Sequence, residues 1–210
     1  MKRLIIEGIT GTGKSTVYEK VADRLHTLSG GNLLFLNEYI TWRIFEKENN
    51  IEQSCKETFI NISGFIDWLT SSYISANLQN TSRGLKEQPC CLMEGFHWNA
   101  YARDILSKSI FYDVEDRLNR LGFSIVFLAL SENQIKNRSV IQTRQFRTNG
   151  WNKYLETLGS SDDEIALVFK ERQKRYCDIF ANSSLNKILI NTDEKRWDDY
   201  TEQIITWGEM

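Results

Sequence analysis

Gly8-Ile9-Thr10-Gly11-Thr12-Gly13-Lys14-Ser15 follows the short apolar run from Arg3 to Glu7 and precedes Thr16 and a helical run from Val17 to Leu28. Glycines at these spacings let the backbone curl until successive N–H groups point inward, and the next helix adds the positive end of its dipole. Such a turn cradles phosphate groups only when a strand leads in and a helix leads out, and both are present. In this reading Gly8, Thr10, Gly11, Thr12, Gly13 and Thr16 surround the phosphates of ATP. Lys14 reaches the β- and γ-phosphates, and Ser15 offers a hydroxyl to Mg2+. Motors, GTPases and metabolite kinases share this cradle, so the fate of the phosphoryl group has to be read elsewhere.

A phosphate loop of this kind needs a parallel sheet, and the chain supplies the strands. Arg3 to Glu7, Leu33 to Asn37, Cys90 to Glu94, Ser124 to Leu130 and Lys187 to Asn191 are short, nearly continuous apolar runs, as expected of strands buried on both faces. Between them Phe59, Ile62, Ile66, Leu69, Tyr73 and Ala76 recur at spacings of three and four, one stripe of a long helix. Val114, Arg117, Leu118 and Leu121 repeat the spacing, with Gly122 as a C-terminal stop. Ser131 with Gln134 and Ser161 with Glu164 read as capping boxes, the second opening a helix to about Phe180. The expected fold is α/β, a three-layer arrangement of five parallel strands flanked by helices. Its ligands should gather at the carboxyl ends of the strands.

Composition agrees with one compact domain over residues 1–210: 41% of side chains are apolar and 26% charged, Pro89 is the sole proline, and no repeat or linker interrupts the chain. A net charge of −2 provides no overall basic field for a nucleic-acid backbone. No run is long enough for a membrane span, and the first residues lead into the glycine loop rather than a signal core, so a cytoplasmic protein is expected. Cys55, Cys90, Cys91 and Cys177 form no CxxC pair, and His26 and His97 complete no ligand pattern, which suggests reduced thiols and no structural zinc.

Two carboxylates end strands at the ligand edge. Glu38 follows the second strand and Glu94 closes the third. Acids converging there divide into a base for an acceptor hydroxyl and a group that places Mg2+ or a sugar hydroxyl. The strand and glycine loop, then LeuAsnGluTyrIleThrTrpArg from Leu36, then LeuMetGluGlyPheHisTrp from Leu92, resemble the deoxynucleoside kinase and thymidylate kinase group of P-loop kinases. The resemblance covers most of the chain. It implies that Glu38 is the base for a 5′-hydroxyl and that Trp42 lines the substrate site. Glu94, as the second strand-end acid, is the candidate metal holder and matches the group's third-strand acid, and the resemblance implies that Asn191-Thr192-Asp193 touches adenine through backbone atoms. The group's arginine after the third-strand acid is replaced by Gly95, for which Arg103 is a candidate substitute. His97 in PheHisTrp is a further substrate-binding candidate beside a structural reading.

From Ser131 to Trp151 the chain carries Arg138, Arg144 and Arg147, the last two on one face if helical. The segment resembles the arginine-rich lid of nucleotide kinases, whose closure brings guanidinium groups onto the transferring phosphoryl and excludes water. An incoming hydroxyl needs a carboxylate, whereas an incoming monophosphate needs an arginine clamp. Asn37 and Gly95, where thymidylate kinases carry arginines, favour a nucleoside hydroxyl. Arg43 and Arg103 keep a nucleoside monophosphate open, and a non-metabolic ATP-binding switch is a third reading. The resemblance implies small-molecule nucleoside or nucleotide partners, neither nucleic acid nor membrane, and leaves room for a homodimer.

Overall fold

A computed structural model describes residues 3–29, 33–42, 50–82 and 89–208. Five parallel strands form one sheet: β1 (Arg3–Glu7), β2 (Leu33–Leu36), β3 (Cys90–Glu94), β4 (Ser124–Ala129) and β5 (Asn186–Asn191), in the order β2-β3-β1-β4-β5. The helices are α1 (Lys14–Ser29), α2 (Glu38–Thr41), α3 (Ile51–Ser75), α4 (His97–Ala102), α5 (Lys108–Arg120), α6 (Glu132–Ile135), α7 (Gln142–Phe146), α8 (Asn149–Glu156), α9 (Asp162–Asn182) and α10 (Trp197–Trp207). A π-helical turn, Lys136–Ile141, joins α6 to α7.

The period of two along each strand splits the core in half. Leu4, Ile6, Leu92, Val126 and Leu128 face Val17, Val21 and Leu25 of α1 and Tyr200 and Ile204 of α10. Ile5, Met93, Ile125 and Phe127 face the other way, against Phe59 and Ile66 of α3, Leu118 of α5 and Phe169 and Tyr176 of α9. Each fully buried aliphatic or aromatic side chain of this kind contributes roughly 1.5–3 kcal/mol, so strands with apolar residues on both faces are held from both sides. Among the described residues, no helix is long and apolar enough to cross a membrane.

Strand positions agree with the apolar runs to within a residue, and the differences are local. Asn37 leaves β2 and caps α2, its Oδ1 accepting from Tyr39 N at 3.2 Å. The two edge strands are not buried on both faces as expected. Every residue of β2 is half-buried, and Leu189 of β5 is 43% exposed, because an edge strand has one neighbour and less helix cover.

The helices carry corrections. The buried face of α3 consists of Cys55, Phe59, Ser63 and Ile66, while Ala76 and Trp68 are exposed. The stripe therefore meets the core only along its first half. Ser161 caps α9 through Glu164 N, but the Ser131 hydroxyl makes no such bond and instead accepts from Asn191. Gly122 ends α5 with φ +70°, as a C-terminal stop requires.

Candidate active site

A cavity of about 900 Å³ opens at the carboxyl ends of β1, β2 and β3. The chain reverses its winding direction between β1 and β3, and a crevice at that point is where open α/β sheets hold ligands.

The phosphate loop forms one wall. Gly11 and Gly13 have φ of +89° and +88°, and the space for a side chain is already taken. A Cβ on Gly11 would lie 2.6 Å from Arg138 O, and one on Gly13 would lie 2.4 Å from Trp197 Cη2. Thr12 is fully buried and its hydroxyl donates to Ile9 O at 2.9 Å, so that side chain closes the loop on itself rather than facing a ligand. Lys14 and Ser15 face the cavity, with Lys14 Nζ donating to Ile9 O at 3.3 Å.

Opposite them stand the strand-end acids. Glu94 Oε1 accepts from Ser15 Oγ at 2.5 Å, and Oε2 accepts from Glu38 N at 3.4 Å. Glu38 lines the same cavity. The Ser15 hydroxyl and the Glu94 carboxylate are adjacent hard oxygen donors, a set that fits Mg2+ completing its shell with phosphate oxygens and water. Beneath them Glu7 is fully buried at the end of β1, and burial pushes its carboxyl up to about 8. Its Oε1 accepts from Phe96 N at 2.8 Å, while Oε2 has no hydrogen-bond partner among the described residues.

Basic and aromatic side chains complete the enclosure. The Arg103 guanidinium lies 4.8 Å from the Trp42 ring, and Trp42 is only 3% exposed. Trp42 therefore lines the cavity as the platform under Arg103, not as an open face. Arg147 reaches in from the end of α7, stacked 4.4 Å from Trp151 of α8. Arg172 of α9 lines the far side and donates to Tyr154 Oη at 2.8 Å.

Other expected site residues lie elsewhere. Arg138 is buried, with Nη2 donating to Gly11 O at 2.8 Å and Nη1 to Thr192 O at 3.1 Å. It fastens the phosphate loop to the β5–α10 loop and does not reach the cavity. Asp193 Oδ1 accepts from Ser131 N at 2.9 Å, on that same side of the loop. Arg144 turns to Asp162 at 3.2 Å, because the helix ends at Phe146 and Arg147 is extended, so the two share no face. Of the segment 131–151 expected to form a lid, Phe146, Arg147, Thr148, Gly150 and Trp151 line the cavity, whereas the turn holding Arg138 to Val140 is buried. His97 is fully buried and paired with Glu115, away from the cavity. Arg43 lies outside the described residues.

Three solved structures share this architecture. The YorR protein from Bacillus subtilis, in complex with phosphorylated GDP, is 15% identical, with 99% of this chain and 96% of that one covered and a TM-score of 0.57. Shikimate kinase from Bacteroides thetaiotaomicron is 14% identical, with 100% and 99% covered and a TM-score of 0.59. Thymidylate kinase from Ehrlichia chaffeensis is 12% identical, with 100% and 98% covered and a TM-score of 0.53. The chain shares the fold of these structures. At such identities the likeness speaks for the fold and not for a substrate. No protein-family model matches the chain, and no curated protein matches it in sequence.

Proposed function

We propose that the protein is an ATP-dependent phosphotransferase that phosphorylates the 5′-hydroxyl of a nucleoside or deoxynucleoside. The observation that carries this reading is the placement of Lys14, Ser15, Glu94 and Glu38 on one cavity, with Ser15 and Glu94 2.5 Å apart. In this reading the donor-side groups Lys14 and Ser15 and the acceptor-side carboxylate of Glu38 share one cavity of about 900 Å³. A switch protein without an acceptor would have no use for the second half of it.

In the proposed reaction Glu38 accepts the proton of the acceptor hydroxyl, whose oxygen bonds to the γ-phosphorus as the bond to the bridging oxygen breaks. Lys14 and Arg147 stabilise charge on the transferring group, and the aromatic wall excludes water that would hydrolyse ATP. Ser15 and Glu94 would hold Mg2+, which when bound neutralises charge on the triphosphate oxygens.

A nucleoside monophosphate is the second reading, favoured by Arg103, Arg147 and Arg172 on one cavity, an arrangement suited to a phosphate dianion. Radiolabelled ATP offered with nucleosides, deoxynucleosides or monophosphates separates the two. Label in a nucleoside product, abolished by Lys14→Ala and lowered at least about a hundredfold in kcat by Glu38→Gln with ATP affinity retained, is the expected result. Label only in diphosphates selects the second reading. ATP binding without label in any acceptor selects the switch.

A further inference from the structure

Glu7 is the one residue of β1 that ends in a carboxyl, after Leu4, Ile5 and Ile6. A fully buried acid is costly unless something is gained from it, and an aliphatic side chain would continue the strand at no such cost. What this acid touches is the turn between β3 and α4. Its Oε1 accepts from Phe96 N at 2.8 Å, and the carbonyl of the preceding residue, Ile6, accepts from Gly95 N at 2.9 Å. Thr41 of α2 donates to Glu94 O at 2.7 Å. Glu94 and the two residues after it are thus fastened by β1 on one side and α2 on the other. Gly95, at φ +61°, makes the sharp turn between the two fastenings.

We infer that Glu7 is a positioning residue, which pins the turn after β3 and thereby holds the Glu94 carboxylate against Ser15. The inference rests on the reading of Ser15 and Glu94 as the place where Mg2+ and the triphosphate meet. Glu7 needs no charge for this task, since a neutral carboxyl oxygen accepts an amide hydrogen bond. Burial, which raises its affinity for a proton, leaves it neutral at pH 7. A neutral group also spares the cavity a third negative charge beside Glu38 and Glu94. Glutamine, neutral and of the same reach, is therefore the conservative replacement. Leucine fills the space without an acceptor, and aspartate keeps the carboxyl but withdraws it by one methylene.

The test is the ratio of affinities for the β,γ-imido analogue of ATP in Mg2+ and in EDTA, measured by calorimetry on the wild type and three variants. Glu7→Gln should keep the wild-type ratio, and Glu7→Leu should lose about tenfold or more of it while affinity in EDTA stays unchanged. Should Glu7→Leu fail to fold, Glu7→Asp carries the same expectation. A wild type that gains nothing from Mg2+ sinks the site reading and this inference together. A wild type with a Mg2+ advantage that Glu7→Leu and Glu7→Asp retain, or that Glu7→Gln loses, overturns the role of Glu7 alone.

Discussion

His97 shows how one residue can look like a ligand and serve as a strut. Its Nε2 lies 3.1 Å from Glu115 Oε1, which also accepts from Trp98 Nε1 at 2.9 Å and from Ser183 Oγ at 3.0 Å. Phe111 stacks on the ring at 5.3 Å. Burial depresses the affinity of His97 for a proton, outweighing the nearby Glu115 carboxylate, so the ring stays neutral while an unfolded chain's histidine protonates near pH 6.5. Between those two pKa values the unfolded state binds more protons, and stability falls as pH drops below about 6.5, by up to about 1.4 kcal/mol per pH unit. Glu7 acts oppositely. Its folded-state value near 8 means the folded state holds a proton that the unfolded state has lost, so its contribution falls as pH rises from about 4.5 to about 8. The informative quantity is therefore the difference between wild type and His97→Gln, which keeps a donor for Glu115 but does not titrate. Urea unfolding from pH 7.5 to 5 should show the variant gaining on the wild type as pH falls. A constant difference would mean that His97 is not buried neutral.

At the scale of elements, the apolar runs and the glycine loop were legible because they follow from local chemistry: continuous aliphatics make buried strands, and glycines make left-handed turns. The π-helical turn at Lys136–Ile141 has no such signature. The spacing of Arg144 and Arg147 did not reveal their directions for a different reason: the helix after the turn ends at Phe146 and Arg147 is extended, so helical periodicity no longer relates the two. The turn serves the phosphate loop: Arg138 bridges Gly11 and Thr192 carbonyls and lies 5.7 Å from the Trp197 ring, while Ser139 donates to Thr10 O at 2.6 Å. Arg138→Ala would take the guanidinium donor from Gly11 O, leave Thr192 O with Lys195 N alone, and empty the space beside Trp197. We expect a loss of about 2–4 kcal/mol in urea unfolding with weaker ATP binding. A loss under about 0.5 kcal/mol would mean that the loop holds its shape without the arginine.

At the scale of the molecule, the cavity draws on residues from Glu7 to Tyr176, and its two halves differed in how readable they were. Glu94 ends β3, Glu38 follows β2, and Lys14 and Ser15 open α1 after the glycine loop that leaves β1, so the direction of the sheet fixes the edge at which they gather. Tyr154, Arg172 and Tyr176 come from α8 and α9, and only tertiary docking, such as that of Tyr176 against Phe127 and Trp98, decides which side chains turn inward. Because the walls come from distant parts of the chain, a ligand that fills them binds the folded state alone and stabilises all of it. ATP at a hundred times its dissociation constant should add about 2.7 kcal/mol, raising the urea midpoint with an unchanged m-value. Lys14→Ala should unfold at the wild-type midpoint without ATP, because Lys14 Nζ makes one bond to a loop carbonyl and supports no core packing, and should show no shift with it. An acceptor nucleoside added to the wild type already holding the imido analogue should raise the midpoint again. If the acceptor shifts the midpoint equally with and without the analogue, the two halves of the cavity bind independently, which counts against the proposed transfer to a hydroxyl held at Glu38.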